Sequence, residues 1–333
     1  MNKYNKTDFQ KIKNISKKYL SSDNRSHIHI LTTLFYYFIT LCGISFNNTY
    51  ICGVSVLLNY LLRLRIFLIF HDLCHMSLFK NSKTNLFYAK NIEFLSLYTY
   101  EMWSETHNEH HNVHGDITKY DPANTTITLS EYKKYGALKK VIFNILRSPP
   151  IFFILVPCYL CKFKEITYLF KEYDHNIIYK YYIKYTFFMF MYYLLTDINK
   201  IYILLLIEYL SGLTGTMLFH LQHSVNIGYL KNQKNSIDKF NGNIEGASFL
   251  KIPKFLKYFF FGIEYHHLHH FSSRIPGYNL KSFHEELESL SLLKDKKEIG
   301  YLQSIKSLFH VFYNEETGRY ESQYIFKLFG FEH

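Results

Sequence analysis

The sequence predicts an all-α membrane protein, with four transmembrane helices in two hairpins beneath a cytosolic cap of histidine-rich helices. Three observations predict it. Apolar residues fall into blocks of about 20, the length a helix needs to cross a hydrocarbon layer of roughly 30 Å. Two of those blocks are separated by only two polar residues, and the histidines gather in the polar segments that flank the blocks.

Residues 1–27 are polar and Lys-rich and read as a basic cytosolic N-terminus. No cleavable leader is expected there, because the first apolar run is long enough to remain as an anchor. Residues 28–46 and 49–70 make the first hairpin, turned at Asn47 and Asn48. Its far end carries no charge, whereas its near ends carry the Lys-rich terminus and the polar stretch after Phe70, so the positive-inside rule sets the near side in the cytosol. Arg63 and Arg65 stand one to two turns from the end of the second helix, within reach of the interface for such long side chains. Residues 71–147 form a cytosolic segment. Residues 149–163 hold an apolar run of only about 13, which suits an interfacial or re-entrant segment better than a span. Residues 182–195 and 198–219 form a second hairpin turned at Thr196 and Asp197, giving a hairpin region of 182–219. Residues 220–333 return the chain to the cytosolic side. Parity agrees, because two crossings keep the histidine-rich segments on one face and three would not. No repeat or Pro/Gly linker divides the chain, so residues 1–333 read as a single domain. Asn59 and Glu208 are polar positions within expected spans. Such residues mark a functional site or pair with a neighbouring cation.

Composition narrows the class. Tyr and Phe number 31 each and the formal net charge is +11. A basic surface beside membrane blocks points to anionic lipid or an acidic protein partner rather than to nucleic acid. The five cysteines are scattered, mostly inside apolar runs, and suggest no disulfide framework. Cys158 and Cys161 form a CxxC without the second pair that a zinc site needs, and read as small buried apolar residues.

Eighteen histidines are present, and their placement matters more than their number. HDLCH puts His71 and His75 four apart directly after the second apolar block, so both imidazoles leave one helical face. HNEHH sets His107, His110 and His111 at i, i+3 and i+4, and HHLHH repeats that spacing with His266, His269 and His270. Imidazole suits zinc, copper, nickel and iron, so ligand type alone does not name the metal. Ligand number helps: these eight exceed the four of a structural zinc and the three plus water of a catalytic one, and they suffice for two ions with open positions.

With its flank, the first box reads HDLCHMSLF and resembles that of the membrane fatty acid desaturases, often HDCGHGSFF in the bacterial-type acyl-lipid branch. The likeness continues through WSETHNEHHNVHGD, EYKKYGALKKVIFNILRSPPIFFILVPCYL and FHLQHSVNIGYL to GIEYHHLHHFSSRIPGYNL, covering residues 63–280. The resemblance implies two iron ions (Fe2+), molecular oxygen and an acyl chain that gains a cis double bond. It also implies a ninth ligand at the QH pair, here Gln222 and His223, with His220 one turn away as the competitor. The expected metal and catalytic set is therefore His71, His75, His107, His110, His111, His223, His266, His269 and His270. His267 lies off the shared face and His114 beyond the second box, and both read as supporting or solvent-facing. His27, His29, His175, His284, His310 and His333 have no partner at ligand spacing. Asp72, Glu109, Asp116 and Glu264 lie within or beside the boxes and are candidates to accept a ligand's second N–H, the alternative being ordinary surface charge. Two departures from the family pattern stand out. No carboxylate follows the QH pair until Asp238, and Leu73, Cys74 and Met76 replace residues that are commonly small, which would narrow the approach to the metals.

Removing hydrogen from an unactivated methylene is beyond any side-chain acid or base, so a cofactor must carry that step. The expected partners are a fatty acyl substrate on lipid, CoA or carrier protein, O2, membrane lipid, and a separate electron donor such as a ferredoxin or cytochrome, since no haem, flavin or nicotinamide fingerprint is present. The expected location is a multi-pass position in a bacterial inner membrane, or in the endoplasmic reticulum of a eukaryote, with the site facing the cytosol. Hydroxylase, acetylenase or ketolase outcomes share the same centre. A non-catalytic zinc-binding membrane protein is a more distant alternative, against which the clustering of the histidines outside the hydrocarbon counts.

Overall fold

Helices follow the apolar blocks in the computed structural model, which describes residues 3–96, 98–121, 126–158, 175–196, 200–226, 232–294 and 298–328. In order they are α1 (Lys6–Ser16), α2 (Asp23–Ile44), α3 (Thr49–Cys74), α4 (Ser82–Ser96), α5 (Tyr100–Val113), α6 (Leu129–Lys133), α7 (Ala137–Leu146), α8 (Pro149–Cys158), α9 (His175–Leu195), α10 (Ile201–His223), α11 (Ser236–Gly246), α12 (Lys257–Phe260), α13 (His266–Phe271), α14 (Gly277–Ser289), α15 (Tyr301–Ser307) and α16 (Tyr324–Lys327). Strands are few and short. β1 (Ile127–Thr128) runs parallel to β4 (His310–Asn314), which pairs antiparallel with β5 (Arg319–Ser322), and β2 (Phe249–Leu250) runs parallel to β3 (Glu298–Ile299).

Among the described residues three helices, α2, α3 and α10, are long and apolar enough to cross a membrane. Their outer faces carry exposed Leu31, Phe35, Val54, Leu57, Leu205 and Leu206, a surface suited to lipid rather than water. Helix boundaries differ from the sequence expectation for local reasons. α2 stops at Ile44, and Asn48 starts α3 by accepting from the amides of Tyr50 and Ile51 at 3.0 and 3.2 Å, so the turn is longer than two residues. α9 begins at His175, ahead of the apolar run read at 182. Asp197, residues 159–163 with Cys161, and His333 lie outside the described residues.

α3 is apolar on all sides and takes the central place, packed against α2, α4, α10 and α12. Ile30, Tyr37 and Leu41 of α2, Leu62, Ile69 and Leu73 of α3, Ile92 and Leu95 of α4, and Leu204 and Ile207 of α10 form one core. Leu73 and Cys74 thus join this core, where the sequence reading had them narrowing the approach to the metals.

The polar residues of these helices correct the sequence reading for the two arginines and bear out the pairing alternative for Glu208. Arg63 and Arg65 do not reach for the interface but are almost fully buried. Arg63 pairs with Glu208 at 2.8 Å and donates to the Tyr37 hydroxyl at 3.1 Å, while the Tyr185 hydroxyl donates to Glu208 at 3.1 Å. Four helices share one neutralised ion pair. Arg65 donates to Thr33 Oγ1 at 2.8 Å and to the Tyr258 carbonyl, and lies 4.0 Å over the Tyr258 ring, tying α3 to the segment before the third box. Asn59 donates to the Tyr37 carbonyl and Thr40 hydroxyl, a bond between the hairpin helices. At the other end of α3, Lys200 donates to the carbonyls of Ile44 and Ser45 at 3.0 and 2.9 Å, satisfying acceptors that the end of α2 leaves open.

The cap has its own core of Tyr4, Ile12, Phe240, Ile244, Leu268, Phe283 and Leu287 from the segment before α1 and from α1, α11, α13 and α14. Asn241 holds the N-terminal segment by bonding both the amide and the carbonyl of Tyr4, at 2.8 and 3.0 Å. α7, in a stretch read simply as cytosolic, exposes Leu138, Val141, Ile142 and Ile145 along one side and is amphipathic.

Candidate metal centre

Each box is positioned by a different local device. His71 lies in the last turn of α3 and His75 is that helix's C-cap residue. Thr99 caps α5, which presents His107, His110 and His111. The six-residue α13 is too short to stand alone and is pinned by buried Leu268 and by two glycines. Gly262 has φ +84°, and a Cβ there would meet the Gly277 carbonyl oxygen at 2.0 Å. A Cβ on Gly277 would meet the Phe261 carbonyl oxygen at the same 2.0 Å, so only two glycines allow this approach of backbone to backbone.

These devices bring all nine expected histidines together. Ring nitrogens of His71, His75, His107, His111 and His269 lie within 4.8 Å of one another, beside two triplets, His110/His114/His223 and His223/His266/His270. His107 Nε2 is 2.9 Å from His71 Nε2 and 3.2 Å from His111 Nε2, which is 3.1 Å from His269 Nε2. On the other side His223 Nε2 is 3.3 Å from His110 Nε2 and 2.9 Å from His266 Nε2, which is 3.1 Å from His270 Nε2. Two nitrogens bound at about 2.1 Å to one ion stand about 3.0 Å apart at octahedral angles and about 3.4 Å apart at tetrahedral ones. The spacings fall in that range. A single Nε2 carries one proton at most, so His107 cannot bond well to both neighbours by hydrogen bonding alone. Nε2 of His75 is buried without a hydrogen-bond partner among the described residues, an orphan that an ion would satisfy. The donor set therefore fits metal.

Carboxylates set the tautomers. His71 Nδ1–H donates to Asp72 Oδ1 at 3.1 Å, and Asp72 Oδ2 accepts from the Gly277 amide at 2.7 Å, so one side chain links the first box to the start of α14. His110 Nδ1–H donates to Asp121 at 2.9 and 3.0 Å. With the proton held at Nδ1, Nε2 offers its lone pair to the centre. Trp103 stacks on His107 with ring centres 5.0 Å apart, which fixes the plane of that imidazole.

Burial first, and then the neighbouring imidazoles, hold His75, His107, His111, His266, His269 and His270 well below the usual value of 6.5. They are neutral at physiological pH, the form that binds metal.

Of the two candidates near the QH pair, His223 has its ring in the cluster. His220 Nε2–H donates instead to the Ser307 carbonyl at 2.9 Å, and so ties α10 to α15. His267 is buried against Phe249 and His284 rather than facing solvent. Of the four carboxylates proposed from sequence, only Asp72 is seen bonding a box histidine. Asp116 accepts from the amide and hydroxyl of Thr118, Glu109 is exposed, and Glu264 is buried, its carboxyl held above the usual range by that burial. The sequence reading missed Asp121, which lies in the chain beyond the end of α5, and Trp103, one turn before His107. It also set His114 outside the site, although His114 lies four residues after His110, the spacing of His71 and His75.

Comparison with known proteins adds a family to this geometry. The sequence model of the family described as fatty acid desaturase matches residues 48–297. A fatty acid desaturase of Bacillus subtilis (strain 168) is 30% identical over 315 residues, covering 89% of this chain and 85% of that protein.

Proposed function

The chain belongs to the fatty acid desaturase family, and on that premise we propose that it is an oxygen-dependent di-iron oxidoreductase that places a cis double bond in a fatty acyl chain. One observation carries the proposal: nine buried or half-buried histidines converge in adjacent clusters, His71 and His75 from the end of apolar α3, His223 from the end of apolar α10, and the others from α5 and α13. His71, His75, His107, His111 and His269 would hold one iron, and His110, His223, His266 and His270 the other. When bound, iron supplies the oxygen-dependent removal of hydrogen that no side chain can perform.

The protein's own residues do the rest. Asp72 and Asp121 keep the Nε2 lone pairs of His71 and His110 aimed at the centre, and Trp103 holds the ring of His107. Gly262 and Gly277 lock α13 to α14, so the third box keeps its register with the first through Asp72. Such positioning decides which methylene reacts, because a small displacement of the chain presents a different carbon. Imidazole ligands bring no negative charge, which would leave the centre cationic, and Asp72 and Asp121, each bonded to one of these histidines, supply counter-charge.

In this reading α9 is a fourth span, pairing with α10 as a second hairpin, and the whole chain is one domain with its site on the cytosolic face. The ion pair of Arg63 with Glu208 and the bond from Lys184 to Glu93 at 2.8 Å remove charges that would otherwise oppose insertion. The acyl chain enters from the bilayer with its carrier group at the cap. Electrons come from a separate donor, and a net charge of +11 suits an acidic protein in that role.

The test is expression in a host with simple membranes, with a matched electron donor, followed by mass spectrometry of the acyl chains. New monounsaturated chains are expected with the native protein and none with His107→Ala. Hydroxylated products in their place, or no change in the profile, would overturn the assignment.

A further inference from the structure

We infer that His114 is a tenth metal-binding histidine, which completes a five-nitrogen set for the second ion. The inference rests on the two-ion reading above and concerns a residue outside the three boxes. One side of the centre already has five mutually close nitrogens. The other has only His110, His223, His266 and His270 from the expected set, and those fall into separate triplets that share His223. His114 belongs to the first of these triplets, its ring nitrogen within 4.8 Å of those of His110 and His223. Its ring centre is 4.6 Å from that of His223 and 4.3 Å from that of His270, so it touches both triplets.

Its placement is enforced by the backbone. α5 ends at Val113, and His114 N–H still donates to the His110 carbonyl at 2.8 Å before ψ turns to 128°. Gly115, at φ +79°, then carries the chain away, while the His114 carbonyl accepts from Gln233 Nε2 at 3.0 Å. A Cβ on Gly242 would lie 2.4 Å from that Gln233 nitrogen, so the glycine makes room for the strap. His114 is 1% exposed, where its position beyond the second box had left a supporting or solvent-facing place open. Five nitrogens on each side would leave one open octahedral position per ion, and the two ions would be alike in donor number.

The test separates this claim from its premise. Native protein, His107→Ala, His114→Phe and His114→Ala are purified in detergent and loaded anaerobically with 57Fe(II). Iron per chain is counted after a fixed challenge with a ferrous chelator, and Mössbauer spectra are recorded. The native protein is expected to keep two irons. His114→Phe, which retains a ring but no nitrogen, is expected to fall toward one, with loss or shift of one ferrous signal and the other unchanged. In His114→Ala, added imidazole should restore the second iron, whereas pyrrole, of the same shape but without a free lone pair, should not. Apo-protein melting of both variants shows whether the fold is kept, and the rescue comparison stands if only His114→Ala folds. Two irons with an unaltered spectrum in His114→Phe, or equal rescue by pyrrole, would overturn the role of His114 while leaving the two-ion reading intact. A native protein that holds fewer than two irons would remove both.

Discussion

Asp72→Asn is the substitution whose consequence the geometry defines most sharply. The carboxylate accepts from two donors at once, His71 Nδ1–H at 3.1 Å and the Gly277 amide at 2.7 Å. An asparagine has one acceptor oxygen and a donor NH2 in the same shape. If its oxygen keeps the shorter bond to Gly277, its NH2 faces His71 Nδ1 and drives the imidazole to the other tautomer. That places a proton, not a lone pair, at the Nε2 that lies 2.9 Å from His107 Nε2. Losing such a partner typically lowers metal affinity by about 10- to 100-fold, or roughly 1.4 to 2.7 kcal/mol. If the amide turns the other way, the Gly277 N–H is left buried without an acceptor, at a cost of about 1 to 3 kcal/mol in fold stability. Iron retained against a graded ferrous chelator reads the first effect, and apo-protein melting reads the second. A variant that equals the native protein in both measurements would refute the bridging role of Asp72.

Three further outcomes are expected. Glu208→Leu leaves Arg63 buried and uncompensated and should cost about 3 to 5 kcal/mol, whereas Arg63→Met combined with Glu208→Leu should recover most of that loss; equal melting temperatures for the single variant and the native protein would contradict the pairing. Met76, the residue after the first box, has φ +55°, so Met76→Gly should stabilise the protein by about 1 kcal/mol and raise its melting temperature by a few degrees, and a fall would show that the side chain's packing outweighs the backbone relief. The buried histidines titrate below 6.5 in the fold and near 6.5 when unfolded, so the unfolded chain binds more protons in that interval. Apo-protein stability should therefore be fully present above pH 6.5 and decline as pH falls below it, by up to about 1.4 kcal/mol per unit for each group. A melting temperature that stays flat from pH 7 to pH 5 would count against a neutral, buried cluster.

Much of the candidate site was legible because its histidines follow helical arithmetic. The i, i+3 and i+4 spacing of the boxes depends only on helix geometry, and α3 and α5 supply the helices. The apolar blocks likewise gave α2, α3 and α10, because length and hydropathy decide which helices can span. What escaped depends on tertiary approach. Arg63 finds Glu208 across 145 positions, and Asp72 reaches Gly277 across 205. His114 was set aside because it falls beyond the second box and past the end of α5, although it sits four residues after His110; the turn at Gly115 and the bond from Gln233 hold the residue there. The left-handed conformation of Met76 explains why the resembling box, HDCGHGSFF, carries glycine at that place, a constraint visible only once φ is known.

The central claim is that these histidines form one centre for two irons. The most direct measurement is the metal content of the native protein, purified anaerobically from iron-replete cells and counted per chain by mass spectrometry. Two irons per chain, both lost on exposure to acid below pH 5, are expected. A single metal per chain, or zinc retained in preference when both metals are offered, would contradict the account.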